Sequence, residues 1–151
     1  MPRREAPKGT VKSETKMTAI TLDQAEKIID AIIERGAALD CRPLAVIVVE
    51  PGCKVKAFKK EDGSSMIRFE MAYGKAYAAL SLGRSSRLIR ERAQEKPIFM
   101  RYLSSASGEQ IFPEGGGLQV RAADGIHAIG LKTDEDCAAM GRRYGIRLTN
   151  W

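Results

Sequence analysis

Residues 43–50, PLAVIVVE, form an unbroken apolar and mostly β-branched run, and no other stretch constrains the fold as tightly. β-Branched side chains favour extended backbone, and a strand without polar alternation has no face suited to water, so it has to be buried on both sides. The sheet that contains it therefore needs helices on both faces. Pro51-Gly52 supplies a turn dipeptide, and KVKAFKKE then continues in a more exposed, Lys-rich style. Residues 43–61 are thus predicted to form a β-hairpin whose first strand is the buried one.

The covering helices are legible on either side of the hairpin. In ITLDQAEKIIDAIIERGAAL, Thr21 followed by Gln24 has the spacing of a capping box. Leu22, Ala25, Ile28, Ile29, Ile32 and Ile33 then recur at helical spacing against a charged face of Asp23, Glu26, Lys27, Asp30 and Glu34. After Asp62-Gly63, MIRFEMAYGKAYAALSL is predicted to be a second helix, capped by Ser64 or Ser65 and stopped at Gly83. Its many Ala and Gly residues predict close packing. Ser86 to Gln94 and Pro97 to Leu103 read as two shorter helices, the latter with proline in its first turn. Strands are predicted on both sides of Gly115-Gly116-Gly117, with a turn at AADG and a fifth strand at IHAIGLK. Thr133 is placed as the cap of a last helix running to about Arg143. The order α-β-β-α-α-α-β-β-β-α is an α+β arrangement.

Charge locates the boundaries. Half of the net charge of +6 resides in residues 1–17, which hold five Lys/Arg against two acids and almost no large apolar side chain. Such a segment cannot bury enough surface to offset its ordering entropy, so it is expected to be a disordered basic tail preceding a single domain at 18–151. The domain has no basic run interleaved with aromatics, which disfavours a nucleic-acid partner. No apolar run approaches a membrane span, and the basic N-terminus lacks a signal-peptide core, so the chain is expected to be cytoplasmic with no membrane partner. Cys41, Cys53 and Cys137 are odd in number and without C-x-x-C spacing, which argues against a disulfide framework and against a zinc ribbon.

The residues that could carry chemistry are few. Three consecutive glycines are entropically costly unless the backbone must approach another element closely or its amides form a nest for an anion. Lys75 stands among Ala72, Ala76, Ala78 and Ala79 on the predicted second helix. Its ammonium is either partly desolvated and directed at an anion or carbonyl, or solvated in a stripe with Arg68. His127, the sole histidine, cannot build a His-pair metal site and reads as a structural strand residue or a lone base. Tyr73 and Tyr77, one helical turn apart, read as core or interface aromatics. No nucleophile elbow, P-loop or dinucleotide fingerprint is present. An enzyme would therefore be cofactor-independent, a hydrolase, decarboxylase or isomerase of a small organic acid, with Lys75 binding the carboxylate and His127 or Glu114 moving a proton.

Four segments taken together, TLDQAEKIIDAIIERGAAL, MAYGKAYAA, IFPEGGGLQV and GIHAIGLKTDED, resemble in order and spacing the GlcG/HbpS-like haem-binding family. That family includes the C-terminal domain of PduO-type corrinoid adenosyltransferases, and the resemblance covers about residues 18 to 145. It implies a profilin-like fold, a five-stranded antiparallel sheet with helices on both faces, assembled as a homo-oligomer and associated with catabolic pathways. It also implies a pocket where a helix lysine, a glycine segment and the end of the last strand meet. Lys75, Gly115, Gly116 and Gly117 match those positions, whereas the strand end near Thr133 reads Lys132-Thr133-Asp134 where the family has a Ser-Gly-Gly type sequence. Haem enters through the resemblance alone, with His127, Tyr73, Tyr77, a methionine or a thiolate left as axial ligands.

The expected function is binding of a small anionic ligand, a carboxylate or a haem propionate, by an ammonium, bare amides and a helix N-terminus near Thr133. Asp134, Glu135 and Asp136 would compete for that terminus. Tyr73, Tyr77, Phe99, Met100 and Tyr102 carry more apolar surface than a small sheet can cover, which also predicts a homo-oligomer.

Overall fold

A computed structural model describes residues 20–122 and 125–131. The elements are α1 (Leu22–Ala38), β1 (Ala45–Glu50), β2 (Lys54–Lys60), α2 (Arg68–Leu82), α3 (Ser86–Glu95), α4 (Pro97–Ala106), β3 (Gly117–Ala122) and β4 (Gly125–Leu131). The strands form one antiparallel sheet in the order β2-β1-β4-β3. The architecture is α+β, as the patterning requires.

The apolar run lies in the sheet interior as β1, flanked by β2 and β4, and residues 44–49 are all buried. Its alternate side chains serve two cores. Val46 and Val48 meet Ala25, Ile29 and Ile32 of α1 together with Val120 of β3, while Ile47 and Val49 meet Ala72 and Ala76 of α2. Helix α1 starts as its sequence specifies: the Gln24 amide donates to the Thr21 hydroxyl at 3.2 Å, and the Thr21 amide donates to the Gln24 side chain at 3.0 Å. At the hairpin, Gly52 and Cys53 have φ of 81° and 57°, the left-handed geometry that lets the chain reverse after Pro51.

Three sequence expectations change. Four strands, not five, lie among the described residues, because residues 111–116 before β3 do not join the ladder. There the Phe112 amide donates to the Gly74 carbonyl of α2 at 3.2 Å, and Pro113 has no amide to give a neighbouring strand. Helix α2 begins at Arg68 with no side-chain cap, since the Ser64 hydroxyl is turned back onto the Glu61 carbonyl at 2.7 Å. Helix α4 continues past Leu103 to Ala106. The basic tail, Thr133 and the last predicted helix lie outside the described residues.

Candidate functional site

Helix α2 is buried on two sides by small residues: Ala72 and Ala76 meet the sheet, while Gly74 meets the Phe112 segment and Ala78 meets Ile89, Met100 and Ile111. Side chains this small let the helix backbone descend onto the sheet and the loop beside it. A Cβ at Gly74 would stand 2.8 Å from the Phe112 Cβ, so Gly74 is what admits the Ile111–Phe112 segment. A Cβ at Gly117 would land on the main-chain carbonyl of Lys75. Gly117 is paired with Gly130 of β4, which is in turn paired with Ile47 of β1. Two adjacent positions on the α2 side of the sheet thus carry no side chain at all. The third glycine is accordingly a close-approach residue; Gly116 has φ 110°, and the Gly115 Cβ position is open.

Lys75 is 4% exposed. This excludes the solvated-stripe reading, because its neighbours on α2 keep it on the covered side. Its ammonium lies 5.5 Å from the centroid of the Phe112 ring, within cation–π range. The structure therefore brings the main-chain carbonyl of Lys75 to Gly117 and its ammonium to the Phe112 ring.

Three further residues complete the junction. The buried Ser86 hydroxyl, at the start of α3, accepts the Gly117 amide at 2.6 Å. The Gln119 side chain donates to the Ala79 carbonyl at 3.2 Å, while its own carbonyl oxygen is buried without a partner among the described residues. Arg90 Nη1 stands 3.0 Å from Glu114 Oε1, and that oxygen also accepts the Gly115 amide at 3.2 Å. None of the three has a periodic signal in sequence, except that Ser86 and Arg90 are one helical turn apart, a spacing that puts both on one side of α3.

His127 falls elsewhere. It is paired with Val120, whose side chain belongs to the core under α1, so its register position is on the α1 side of the sheet. Lys75 and Gly117 meet on the other side. Thr133, the remaining candidate, lies outside the described residues.

The aromatics form a chain. Ring centroids of Phe58 and Phe69 are 5.0 Å apart, of Phe69 and Tyr73 6.1 Å, and of Tyr73 and Tyr77 6.0 Å. The Tyr73 hydroxyl donates to the Cys53 carbonyl at 3.0 Å. Burial, then the neighbouring Cys53 and Tyr77, hold the Tyr73 phenol above its usual range, and burial likewise pushes the Cys53 thiol up. Both groups are thereby kept protonated, which makes them poor anionic ligands at neutral pH. Among the described residues, no three His, Cys, Asp or Glu side chains are grouped to hold a metal ion.

A family model described as haem degrading protein HbpS-like matches residues 20–141. No curated protein gives a significant match. Among solved structures, a PduOC–haem complex superposes with a TM-score of 0.72 at 17% identity, covering 87% of this chain and 98% of that one. A double mutant of Streptomyces reticuli HbpS gives 0.72 at 21% identity, covering 95% and 98%. The Klebsiella pneumoniae protein ORFY gives 0.69 at 21% identity, covering 89% and 93%. Identities this low establish a shared fold.

Proposed function

The chain belongs to the HbpS-like haem degrading family, and on that premise we propose that it binds a small ligand through a carboxylate, either a haem propionate or a small organic acid. The observation that carries this reading is the burial of Lys75 at the point where α2 presses against Gly117. A cation in a low-dielectric setting attracts an anion far more strongly than one in water. The adjoining loop leaves the Cβ position of Gly115 open. We place the ligand's carboxylate against Lys75 and the Gly115–Gly116 part of the glycine segment, with Gly117 holding that segment to α2 through its contact with Lys75; Thr133 lies outside the described residues.

Haem is the group that the family implies, and its iron requires an imidazole, thiolate, thioether or phenolate. The residues meeting at the junction, Lys75, Ser86, Arg90, Phe112, Glu114 and the glycines, include none of these. They suit the carboxylate end of a ligand and supply no donor to the iron themselves. What they supply is charge, orientation and exclusion of water.

The acid–base alternative needed His127 or Glu114 beside Lys75, and the register position of His127 is on the α1 side of the sheet. Glu114, the other candidate, already faces Arg90 and accepts the Gly115 amide, so it would have to leave both before taking a proton. Binding is therefore preferred over proton transfer. Homo-oligomer formation belongs to the same proposal. Met100 is buried in the core of α2, α3 and α4 and drops out of the interface set, while Phe99 and Tyr102 stay exposed in it and Ile98, 84% exposed, joins them. A cytoplasmic setting beside catabolic enzymes completes the reading.

Titration of hemin and a panel of small carboxylic acids into wild type and Lys75→Met, followed by absorbance and calorimetry, tests it. Methionine keeps the stem volume and removes the charge. Binding weakened about tenfold or more is expected from loss of a charged contact. Equal affinity in both proteins removes Lys75 from the site, and no binding in either overturns the proposal.

A further inference from the structure

Arg90 and Glu114 mark where a ligand would first touch the glycine segment. Helix α3 grips this segment at two points: Ser86 accepts the Gly117 amide at 2.6 Å, and Arg90, one turn later, stands 3.0 Å from Glu114 Oε1. That same oxygen accepts the Gly115 amide at 3.2 Å. A guanidinium and a main-chain amide converging on one carboxylate oxygen is the donor set that proteins use to recognise carboxylates and phosphates. Here the carboxylate already in place belongs to the chain itself.

Two features make it exchangeable. The side chains of Arg90 and Glu114 are 53% and 44% exposed, and ion pairs this open to water contribute little to stability, so separating them costs little. Apart from its chain neighbours Glu114 and Gly116, no heavy atom lies within 4 Å of the Gly115 Cβ position.

We propose that Arg90 and the Gly115 amide form the entry contact for the ligand's carboxylate, and that Glu114 is an internal competitor which the ligand displaces. The inference rests on the reading of the glycine segment as a carboxylate site, and it adds Arg90 as a ligand-binding residue. A dicarboxylate or a haem with two propionates could engage Arg90 at the surface with one group and Lys75 within with the other. A ligand with a single weak acid would compete with Glu114 on nearly equal terms.

The test uses malonate as the probe, with a chloride control for ionic strength, and follows the Gly115 and Gly116 amide resonances of the full chain. Glu114→Gln removes the competing charge and is expected to lower the malonate midpoint about tenfold, while Arg90→Gln raises it by at least that factor, as for loss of a charge-assisted hydrogen bond. Both positions are exposed, so the variants should fold. A wild-type midpoint in either variant overturns the proposal. Lys75→Met separates it from its premise. If that variant still responds to changes at Arg90 and Glu114, the entry contact stands and the Lys75 anchor fails. If it loses malonate while Arg90→Gln and Glu114→Gln behave as wild type, the anchor stands and the entry contact fails. Resonances that malonate moves in no variant overturn both.

Discussion

The two faces of the sheet are built on opposite principles. Under α1, Ile29 and Ile32 fill the space over Val46 and Val48, and cohesion comes from the volume of branched side chains. Under α2, the contact residues shrink to Ala72 and Ala76, and main chains come close enough that Gly117 has no room for a Cβ. The polar groups follow that division. Lys75, Ser86 and Gln119, the buried polar side chains among the described residues with determined burial, all stand on the α2 side. A face packed by large hydrocarbons tolerates no polar guest, whereas a face packed by backbone brings carbonyls and amides within reach of one.

The largest effect should come from the α1 face. Ile29→Ala deletes a fully buried side chain and should destabilise by about 2–5 kcal/mol, read from urea unfolding. A loss below about 1 kcal/mol would mean that this face collapses around a void, and the contrast with the α2 face would fail.

Gly117→Ala is the matching change on the other side. One methyl group forced against the Lys75 carbonyl should cost about 1–3 kcal/mol, because the obstacle is backbone that cannot swing away. Gly115→Ala, two residues earlier and in open space, should stay within about 0.5 kcal/mol. Equal costs at the two positions would break the close-approach account.

Tyr73→Phe should cost about 1 kcal/mol at neutral pH through loss of the bond to the Cys53 carbonyl. Its pH dependence is the sharper readout. The folded-state phenol titrates above its unfolded value, chiefly through burial, so its contribution is fully present below the unfolded pKa of about 10 and is lost as pH rises through the folded value. Thermal melts of wild type should therefore fall more steeply than those of Tyr73→Phe on the alkaline limb. Parallel limbs would show that the phenol is not held by the fold.

The smallest effect is expected at Gln119. Its side-chain carbonyl is buried without a partner among the described residues, and the Ala79 carbonyl it donates to also receives the Gly83 and Arg84 amides. Gln119→Met therefore leaves that acceptor satisfied and removes a half-paired group, so stability should stay within about 1 kcal/mol of wild type. A cost above about 2 kcal/mol would reveal a polar role that the described contacts do not contain.

Much of this was determined by sequence alone, and the reason is locality. The double burial of β1, the capping box of α1, the hairpin turn at Pro51-Gly52 and the small-residue face of α2 are all properties of spacing within one segment, so periodicity and turn chemistry expose them. The four segments in register also sufficed to indicate the HbpS-like family, to which the chain belongs. The strand expected before the glycines failed because its fate depended on a distant competitor, the Gly74 carbonyl, which captures the Phe112 amide.

The candidate site divides in the same way. Lys75 and the glycines were conspicuous as local anomalies, a charge among alanines and backbone without side chains. Which face each residue occupies was decided only by the ladder register, which pairs Gly117 with Gly130 on the α2 side and His127 with Val120 on the other. Ser86, Arg90 and Gln119 were invisible beforehand because a hydrogen bond spanning 31 residues, such as that from the Gly117 amide to Ser86, leaves no periodic trace in sequence. Such contacts exist only after β3 has been laid beside α2 and α3, since it is the folded chain that places one residue's donor within reach of another's acceptor.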